Sequence, residues 1–477
     1  MSGEEIRFGT EGWRATIGRD FNLENVARLA AALGLHLLNR GQGDLGAAVA
    51  HDTRTMSEEA AFTAAGQLAG LGIPVLLIPP PTPTPVLSFT VADRGAAAGM
   101  VITASHNPAI YNGVKMKGPE GGPAQKELLS GVQSKIGSAR PAHLSAEPMP
   151  PPTADTGVVE VDPLPRYLDR LGQLVDLDAI RQSRLEVVVD AMNGAASGYL
   201  PRVLGGHRFK VAEIRGSRKL RPQDPPPEPI QRNLRRLRRS VRKRRGVIGL
   251  ALDGDGDRLG VVAPSGRFVT AHEVLTLLLR HLVEVRGDTG PVGKTISTSR
   301  MVNRLAQRYG LPVFETPVGF KHLSPLFAEQ NLLIAGEESG GLAVRGHIPE
   351  RDGILAALLL LEALVRSGRH LDAMLEDLEK LVGSLHYQRL DLQIGPQLQE
   401  QGVLSLLSRL PRRIAGLRVM DIDPRDGLKL LLEKDNWLLV RISGTEPLVR
   451  LYCEAASMRG LEAILADARR LLDLPGR

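Results

Sequence analysis

The stretch V-I-T-A-S-H-N-P at residues 101–108, followed by Y-N-G-V-K at 111–115, is the part of the chain around which the rest is organised. Its β-branched start predicts the end of a buried strand, and its Asn-Pro step predicts a turn, because the residue before a proline is disfavoured in a helix. The pattern places Ser105 on an exposed loop tip at the end of a strand, where α/β proteins carry their chemistry. Most loop serines are simply solvated, so the remaining motifs must decide whether Ser105 is functional.

The composition is that of an ordinary α/β protein. The chain has 477 residues, of which 43% are hydrophobic, 24% charged and only 4% aromatic. This length predicts about three domains with several cores. The shortage of aromatic residues argues against a stacking surface for single-stranded nucleic acid.

The termini and the single cysteine indicate a cytoplasmic chain. Residues 1–7 contain no apolar core, so no secretory signal is expected. The longest apolar run, 354–361, is far shorter than the roughly 18 residues of a membrane helix, and no membrane partner is expected. Cys453 excludes an intrachain disulfide and lies in an apolar, strand-like run, which favours a buried structural role.

A basic segment accounts for the net positive charge. It contains nine basic residues, without which the formal charge of +7 would be −2: Arg232, Arg235, Arg236, Arg238, Arg239, Arg242, Lys243, Arg244 and Arg245. Leu234, Leu237 and Val241 recur at helical spacing and predict a surface helix whose apolar stripe packs on a sheet. A contact with nucleic acid or another anionic surface is the alternative, but no nucleic-acid motif accompanies the segment, so such a partner is not expected.

Predicted strands and helices alternate along most of the chain, which indicates α/β units with mostly parallel sheets and helices on both faces. The predicted strands are Leu45–Ala50, Val75–Ile78, Met100–Thr103, Leu185–Val189, Val247–Leu252, Val292–Ile296 and Leu332–Ala335, and the clearest helices are Asn22–Leu38 and Ile354–Val365. A Pro-rich linker is predicted at Gly137–Gly157. The end of the chain predicts an α+β unit with strands Gln388–Ile394, Leu428–Glu433 and Trp437–Ile442, and helix Met458–Leu472. The predicted domains span residues 1–140, 158–265, 266–380 and 385–477.

The strongest local motif is A-L-D-G-D-G-D-R at residues 251–258. Asp253, Asp255 and Asp257 alternate with glycines, so three carboxylates can converge in a tight loop and bind a hard cation, Mg²⁺ before Mn²⁺ or Ca²⁺. An EF-hand calcium loop begins in the same way, but it requires glycine at position six and glutamate at position twelve. Counted from Asp253, this chain has Arg258 and Pro264 at those positions. The motif therefore predicts a magnesium site that needs a further anionic ligand.

Phosphorylated Ser105 would be that ligand. A phosphoserine carries a charge of about −1.5 to −2, and Arg258 and Lys115 are the candidates to balance the combined negative charge. The metal would then polarise the phosphoryl oxygens and orient the group for in-line transfer.

Two further loops are individually weaker. G-E-E-S-G-G at residues 336–341 offers carboxylate and hydroxyl groups that suit sugar hydroxyls, although an ordinary acidic turn explains it equally simply. R-I-S-G-T-E-P at residues 441–447, with Arg450 behind it, offers guanidinium, hydroxyl and backbone donors to a phosphate, with a structural arginine network as the alternative.

Together these motifs resemble the α-D-phosphohexomutases. The resemblance rests on T-A-S-H-N-P, D-G-D-G-D-R, G-E-E-S-G and R-I-S-G-T-E-P in this order, with F-G-T-E-G-W-R at residues 8–14 and T-P-V-G-F-K at 316–321, and it covers essentially the whole chain. It implies three similar α/β domains and a C-terminal α+β domain arranged around a central cleft. The basic segment at 232–245 departs from the family pattern.

The resemblance also implies the reaction and its residues. Ser105 would donate its phosphoryl group to a hexose phosphate, with glucose 1,6-bisphosphate as intermediate and activator and one Mg²⁺ per chain. Lys115 would be the general acid/base. The implied catalytic residues are Ser105, Lys115, Arg14, His106 and Arg258; the implied metal ligands are Ser105, Asp253, Asp255 and Asp257; and the implied substrate-binding residues are Lys321, His322, Glu337, Ser339, Arg441, Ser443, Gly444, Thr445 and Arg450.

The preferred sugar follows from two short sequences. The G-E-E-S form and the H-I-P-E-R-D-G at residues 347–353 look like the phosphoglucomutase branches, whereas phosphoglucosamine and phosphomannose branches more often carry a histidine where Gly341 stands. We therefore expect interconversion of glucose 1-phosphate and glucose 6-phosphate. Phosphomannomutase and phosphoglucosamine mutase activities are the alternatives, and a non-enzymatic protein that binds sugar phosphates or nucleic acid is the rival from another class.

Overall fold

The computed structural model describes residues 6–9, 12–139, 157–205, 208–217, 219–244, 246–394, 403–442 and 448–472. These residues form four sheets, three mixed and one antiparallel, which confirms the predicted fold class. The predicted linker lies almost entirely outside the described residues. None of the helices in the described part combines the length and apolar character that a membrane span needs.

The first sheet has six strands in the order β1-β5-β4-β2-β3-β6; β4, β2, β3 and β6 pair in parallel, and β5 pairs antiparallel with both β4 and β1. Its strands are β1 (Trp13–Thr16), β2 (Ala47–His51), β3 (Val75–Leu77), β4 (Ala98–Ile102), β5 (Tyr111–Lys117) and β6 (Val158–Glu160). Its helices are α1 (Leu23–Asn39), α2 (Ser57–Gly70), α3 (Thr84–Arg94) and α4 (Lys126–Lys135). The predicted helix at residues 22–38 is confirmed as α1, where the Asn22 side chain caps the first turn by accepting from Asn25 N.

The second sheet has five strands in the order β11-β10-β9-β7-β8. Its strands are β7 (Glu186–Asp190), β8 (Lys210–Ile214), β9 (Ile248–Leu252), β10 (Leu259–Val262) and β11 (Phe268–Val269). The helices α5 (Leu164–Leu174), α6 (Leu177–Gln182), α7 (Tyr199–Leu204) and α8 (Arg235–Arg242) accompany it. Although the predicted second domain starts at residue 158, β6 pairs with β3 of the first sheet.

The third sheet has four strands in the order β13-β12-β14-β15. Its strands are β12 (Val292–Thr295), β13 (Val313–Thr316), β14 (Ile334–Gly336) and β15 (Leu342–Val344), with helices α9 (Ala271–Glu284), α10 (Met301–Arg308), α11 (Phe320–Gln330), α12 (Gly353–Ser367) and α13 (Leu371–Val382). The apolar helix α12 is buried along nearly its whole length. It belongs to one hydrophobic core that includes strands of both the second and third sheets, so these two units pack as one body.

The fourth sheet is antiparallel throughout, in the order β16-β21-β20-β19-β18-β17. Its elements are β16 (His386–Gln393), β17 (Arg413–Ile414), β18 (Leu417–Asp423), β19 (Leu428–Leu432), β20 (Trp437–Ile442), β21 (Leu448–Ala455) and helix α14 (Met458–Leu471). Cys453 is buried in its core, as predicted. This unit is the predicted α+β end of the chain.

The three mixed sheets place their polar loops in equivalent positions. In each sheet a parallel strand runs into a loop that returns as an antiparallel strand: β4 to β5, β9 to β10 and β14 to β15. These three loops are T-A-S-H-N-P, D-G-D-G-D-R and E-E-S-G-G. The sequence predicts alternating strands and helices but none of the return strands, so the hairpin that carries each motif is a finding of the structure.

Helix α8 confirms that the basic segment forms a surface helix whose apolar stripe packs on a sheet. Leu234, Leu237 and Val241 are fully buried against the second sheet, in a small core of their own. The basic side chains at 235, 236, 239, 242, 243 and 244 are exposed.

Candidate active site

Ser105 lies in the loop between β4 and β5, but it is not exposed. Its side chain is fully buried, and its backbone adopts a left-handed conformation with φ of 51°, a conformation that a non-glycine residue adopts at a cost and often at functional sites. The prediction of an exposed loop tip is therefore wrong. The reason is the loop after β9, which covers the serine so closely that a Cβ at Gly254 would lie 2.3 Å from Ser105 O.

A buried arginine, Arg54, holds the serine loop in shape. Its Nη2 donates to the carbonyl oxygens of Ser105 (2.6 Å) and Asn107 (2.7 Å), and its Nη1 donates to those of Pro108 and Tyr111 (both 2.9 Å). The remaining Nε donates to Asp52 Oδ2 at 3.1 Å. Because all five N–H groups of a guanidinium point in fixed directions, these contacts fix the backbone around the serine.

The serine hydroxyl faces the aspartate loop. Ser105 Oγ donates to Asp253 Oδ2 at 3.0 Å and lies 3.4 Å from His106 Nδ1. Arg14 reaches the same loop by donating from Nη1 to Asn107 Oδ1 at 2.9 Å. The structure therefore brings Ser105, His106 and Arg14 together at one loop.

The three aspartates converge as predicted. Asp253, Asp255 and Asp257 are fully buried, and one carboxylate oxygen of each lies within 4.8 Å of the others. Asp253 Oδ1 accepts from the backbone N–H groups of Asp257 and Arg258, which fixes the loop from within.

Two oxygens of this cluster have no hydrogen-bond donor in the described part of the chain. These are Asp255 Oδ1 and Asp257 Oδ1, both fully enclosed. Their partner oxygens are satisfied: Asp255 Oδ2 accepts from Thr84 Oγ1 and Lys115 Nζ (both 2.6 Å), and Asp257 Oδ2 accepts from Lys115 Nζ at 2.9 Å. Buried carboxylate oxygens without donors, together with all-oxygen chemistry, fit a hard divalent cation.

The surroundings shift the pKa values of Asp253 and Asp255 in opposite directions. Burial, with the charges of Asp257 and Asp255, raises the pKa of Asp253 well above its usual range. Burial also opposes ionisation of Asp255, but the charge and hydrogen bond of Lys115 outweigh it and lower the pKa of that carboxyl. Among the described residues, Lys115 and the neighbouring arginines compensate the negative charge of this cluster.

Arg258 lies at the end of this loop and is largely buried. Its Nε is 3.7 Å from Asp257 Oδ1, close enough for an ion pair but too long for a hydrogen bond. Its backbone forms an isolated bridge with Gly341 of the third sheet's loop. The predicted role in balancing negative charge is thus compatible with its position.

The predicted sugar loop is held by hydrogen bonds to Glu337 from two other segments. Glu337 is buried; its Oε1 accepts from Gly319 N at 3.1 Å and its Oε2 accepts from Arg351 Nη1 at 3.0 Å. Ser339 Oγ is enclosed and has no hydrogen-bond partner among the described residues. Lys321 and His322 are the second and third residues of α11, whose N-cap is Gly319, and His322 is exposed. The four side chains therefore belong to the loop after β14 and to the first turn of α11.

The predicted phosphate site is described only in part, because Ser443, Gly444 and Thr445 lie outside the described residues. Arg441 and Arg450 stand directly opposite each other on β20 and β21. Side chains directly opposite each other in an antiparallel pair lie on the same face of the sheet, so the two guanidinium groups are placed where one phosphate can contact both. Arg441 Nε also donates to Asp426 Oδ1 at 2.9 Å, and Asp426 Oδ2 accepts from Val318 N, which ties the fourth sheet to the loop before α11.

Sequence reasoning missed three residues that the geometry places at the site: Arg54, Thr84 and Arg351. Arg351 Nη2 donates to Asp257 Oδ2 at 2.7 Å. A signal existed for Arg54, since H-D-T-R follows a predicted strand and the carboxyl ends of parallel strands share an edge. Arg351 lies within the H-I-P-E-R-D-G sequence at residues 347–353, but that sequence does not reveal its contact with Asp257. Thr84 and Arg351 both reach the site across unit boundaries that sequence spacing does not reveal.

Comparison with known proteins gives the same family along the chain. Models described as phosphoglucomutase/phosphomannomutase match residues 5–142 (alpha/beta/alpha domain I), 165–266 (domain II), 270–381 (domain III) and 407–471 (C-terminal domain). A solved structure from Thermus thermophilus, named as a candidate phosphomannomutase, is 36% identical, with a TM-score of 0.85 over 99% of this chain and 100% of that one.

Two curated relatives carry different substrate names. The phosphoglucomutase/phosphomannomutase of Thermococcus kodakarensis is 28% identical over 98% of each chain. The phosphoglucosamine mutase of Desulforamulus reducens is 29% identical over 96% of this chain and 97% of its own. Similarity thus identifies hexose-phosphate mutases without distinguishing the sugar.

Proposed function

The chain belongs to the phosphoglucomutase/phosphomannomutase family of α-D-phosphohexomutases, and within it we propose that this protein interconverts glucose 1-phosphate and glucose 6-phosphate. The observation that supports the chemistry is the contact of the Ser105 hydroxyl with the aspartate cluster. The glucose assignment rests on the G-E-E-S and H-I-P-E-R-D-G sequences.

In the proposed reaction Ser105 carries the phosphoryl group. The bond between phosphorus and Ser105 Oγ breaks as phosphorus bonds to a free hydroxyl of the bound hexose monophosphate, and the proton of that hydroxyl passes by way of Lys115 to Ser105 Oγ. Glucose 1,6-bisphosphate then reorients and returns its other phosphoryl group to Ser105, so the enzyme ends phosphorylated as it began.

Asp253, Asp255 and Asp257 would hold a Mg²⁺ ion, with phosphorylated Ser105 as a further ligand. When bound, the ion supplies Lewis-acid stabilisation of charge on the phosphoryl oxygens. The enclosed Oδ1 atoms of Asp255 and Asp257 support this assignment.

Lys115 is the proton carrier that we assign. It is buried, and its Nζ lies between Asp255 and Asp257, 2.6 Å from one carboxylate and 2.9 Å from the other. A general acid/base must lie within hydrogen-bond reach of the groups that exchange the proton, and Lys115 adjoins the loop that carries Ser105. Arg14, His106 and Arg258 surround the same loops and are assigned to charge balance and orientation.

The sugar and the second phosphate would be held by the third and fourth units. We assign Lys321, His322, Glu337 and Ser339 to the sugar, and Arg441, Arg450, Ser443, Gly444 and Thr445 to the phosphate remote from Ser105. The opposed pair Arg441 and Arg450 supports the second assignment, because two guanidinium groups on one face of the sheet suit the binding of a phosphate.

A comparison of three substrates tests the proposal. Purified protein with Mg²⁺ and a glucose 1,6-bisphosphate primer would be assayed on glucose 1-phosphate, mannose 1-phosphate and glucosamine 1-phosphate. We expect the highest kcat/KM with glucose 1-phosphate. A higher value with either other sugar would overturn the glucose assignment alone, whereas no turnover of any of them would overturn the enzymatic proposal.

A further inference from the structure

Arg351 is a buried cation at the point where the metal loop and the sugar loop meet. It lies between β15 and α12, and its side chain is 2% exposed. Nη2 donates to Asp257 Oδ2 at 2.7 Å and Nη1 donates to Glu337 Oε2 at 3.0 Å. One guanidinium therefore contacts both loops through separate N–H groups.

A third contact reaches the helix that carries the remaining sugar-site residues. Arg351 Cζ lies 5.8 Å from the centre of the Phe320 ring, in the range of a cation–π contact. Phe320 is the first residue of α11 and immediately precedes Lys321. Asp257, Glu337 and Phe320 thus connect Arg351 to the three segments proposed to bind metal and sugar, and Glu350 Oε1 lies 3.6 Å from its Nε.

The glycine at position 341 leaves the space that Arg351 occupies. A Cβ at Gly341 would lie 2.1 Å from Arg351 Cδ and 2.7 Å from its Cγ, both well inside contact distance. The backbone at this position is otherwise engaged, because Gly341 O accepts from Glu337 N at 3.0 Å and the residue bridges Arg258. Any side chain at position 341 would therefore clash with Arg351 in its present conformation.

The contacts of Asp257 and Glu337 differ in how far they depend on Arg351. Asp257 Oδ2 also accepts from Lys115, so a second cation holds it in place. Glu337 Oε2 is paired with Arg351, and Glu337 Oε1 accepts from the neutral backbone amide of Gly319. Loss of Arg351 would leave Asp257 its ion pair with Lys115 but would break the guanidinium link that joins the sugar loop to the metal loop. We therefore expect the sugar loop to be disturbed more than the metal loop.

We propose that Arg351 is a positioning residue that fixes the sugar loop relative to the metal loop, and that Gly341 is required because Arg351 passes through the space of its missing side chain. This inference rests on the proposed function for its substrate class. It assigns to Arg351 an effect on sugar-phosphate binding that is separable from metal binding.

The test compares Arg351→Met, Arg351→Lys, Gly341→Ala and the double variant Arg351→Met/Gly341→Ala. Binding of Mn²⁺ alone and of glucose 1,6-bisphosphate would be measured by titration calorimetry, and kcat and KM separately for turnover. Arg286→Met is the matched control for buried-charge loss, since Arg286 pairs with buried Glu362 away from the described site residues.

For Arg351→Met we expect bisphosphate affinity to fall about tenfold or more, equivalent to about 1.4 kcal/mol, with KM rising in parallel and Mn²⁺ affinity within about threefold of wild type. Arg351→Lys should restore part of the loss. Gly341→Ala should reproduce it, and the double variant should be no weaker than Arg351→Met alone, because both changes act on one contact.

Two results would overturn the inference. One is wild-type affinity for the bisphosphate in Arg351→Met. The other is a parallel loss of Mn²⁺ and bisphosphate binding that matches a drop in Tm and is shared by Arg286→Met. Because the binding of bisphosphate is measured without turnover, a wild-type protein that fails to catalyse would overturn the proposed function and still leave the role of Arg351 decided by the titrations.

Discussion

Ser105 Oγ donates a hydrogen bond to Asp253 Oδ2 across 3.0 Å, although the two residues are 148 positions apart. The contact joins the β4–β5 loop of the first sheet to the β9–β10 loop of the second. Both residues are fully buried. A hydroxyl in this position is already beside the groups that would bind a cation, so a phosphoryl group on Ser105 needs no large movement to reach it.

Replacing Ser105 tests the nucleophile. Ser105→Ala removes the oxygen that carries the phosphoryl group, and we expect turnover of glucose 1-phosphate to fall on the order of a thousandfold or more. Mass spectrometry after incubation with the bisphosphate should find a phosphoryl group on the Ser105 peptide of the wild type only. Ser130→Ala, which alters an exposed hydroxyl on α4, is the control. Activity of Ser105→Ala within about tenfold of wild type would contradict the assignment.

The aspartate cluster should make heat stability depend on Mg²⁺. A ligand at about a hundred times its Kd stabilises the folded protein by about 2.7 kcal/mol, measurable as a rise in Tm. Asp257→Asn should lose most of this rise because it removes one of the enclosed carboxylates. Asp372 lies away from the site, and its carboxylate accepts hydrogen bonds from Ser265 N and Ser265 Oγ. Asp372→Asn should therefore keep the rise in Tm with Mg²⁺. An equal Mg²⁺ effect in both variants would place the ion elsewhere.

Lys115 and Lys117 offer a matched pair for the proton carrier. Both are buried on β5 and both form ion pairs with another unit, Lys115 with Asp255 and Lys117 with Glu350. Either change to methionine removes the lysine partner of a buried carboxylate, and the loss of one partner of a buried ion pair costs about 3–5 kcal/mol. Only Lys115→Met should lower kcat by a further factor of about 10²–10⁴. Equal losses of kcat in the two variants would reduce Lys115 to a structural role.

His272 should make the protein sensitive to mild acid. Burial, and then the charge of Lys294, lowers the pKa of His272 to about 3, and its Nδ1 accepts from Ser299 N, which requires a neutral ring. In the unfolded chain this histidine gains a proton below about pH 6.5, while in the folded protein it does not. Its contribution to stability is therefore complete above about pH 6.5 and is lost progressively as the pH falls from there towards about 3.

To isolate this effect, the free energy of unfolding of the wild type and of His272→Gln would be measured as a function of pH. Between about pH 7 and 5 the wild type should lose about 2 kcal/mol more than the variant, since each pH unit below the unfolded pKa contributes about 1.4 kcal/mol. If the free energy of unfolding changes with pH equally in the two proteins, His272 takes up its proton as readily in the folded state as in the unfolded chain, which would contradict the prediction.

Helix α8 should be more stable with fewer cations in its first turn. Arg235 and Arg236 stand at the N-terminus, where the helix dipole disfavours positive charge, and the first turn contains no acidic residue. Changing either to glutamate should raise the free energy of unfolding by about 0.3–1 kcal/mol with turnover unchanged. Arg242→Glu, at the C-terminal end, should gain less. A larger gain from Arg242→Glu would contradict the dipole argument.

The sequence alone determined the fold class and the local chemistry of each motif. Hydrophobic periodicity is a local property, so α1, α12, α14 and the β20 strand could be predicted within a residue or two. The alternation of aspartate and glycine at residues 253–257 likewise required three carboxylates to share one loop, whatever surrounded them.

The tertiary structure decided which loops meet and what each side chain contacts. Burial of Ser105, the backbone cage built by Arg54 and the link from Asp257 through Arg351 to Glu337 all arise between residues far apart in the chain. No spacing rule encodes them, because they depend on how the sheets pack against one another. The sequence placed a serine and three aspartates on loops, and only the packing of the first two sheets placed them within hydrogen-bond distance, since contacts between units are set by shared buried surface rather than by local propensity.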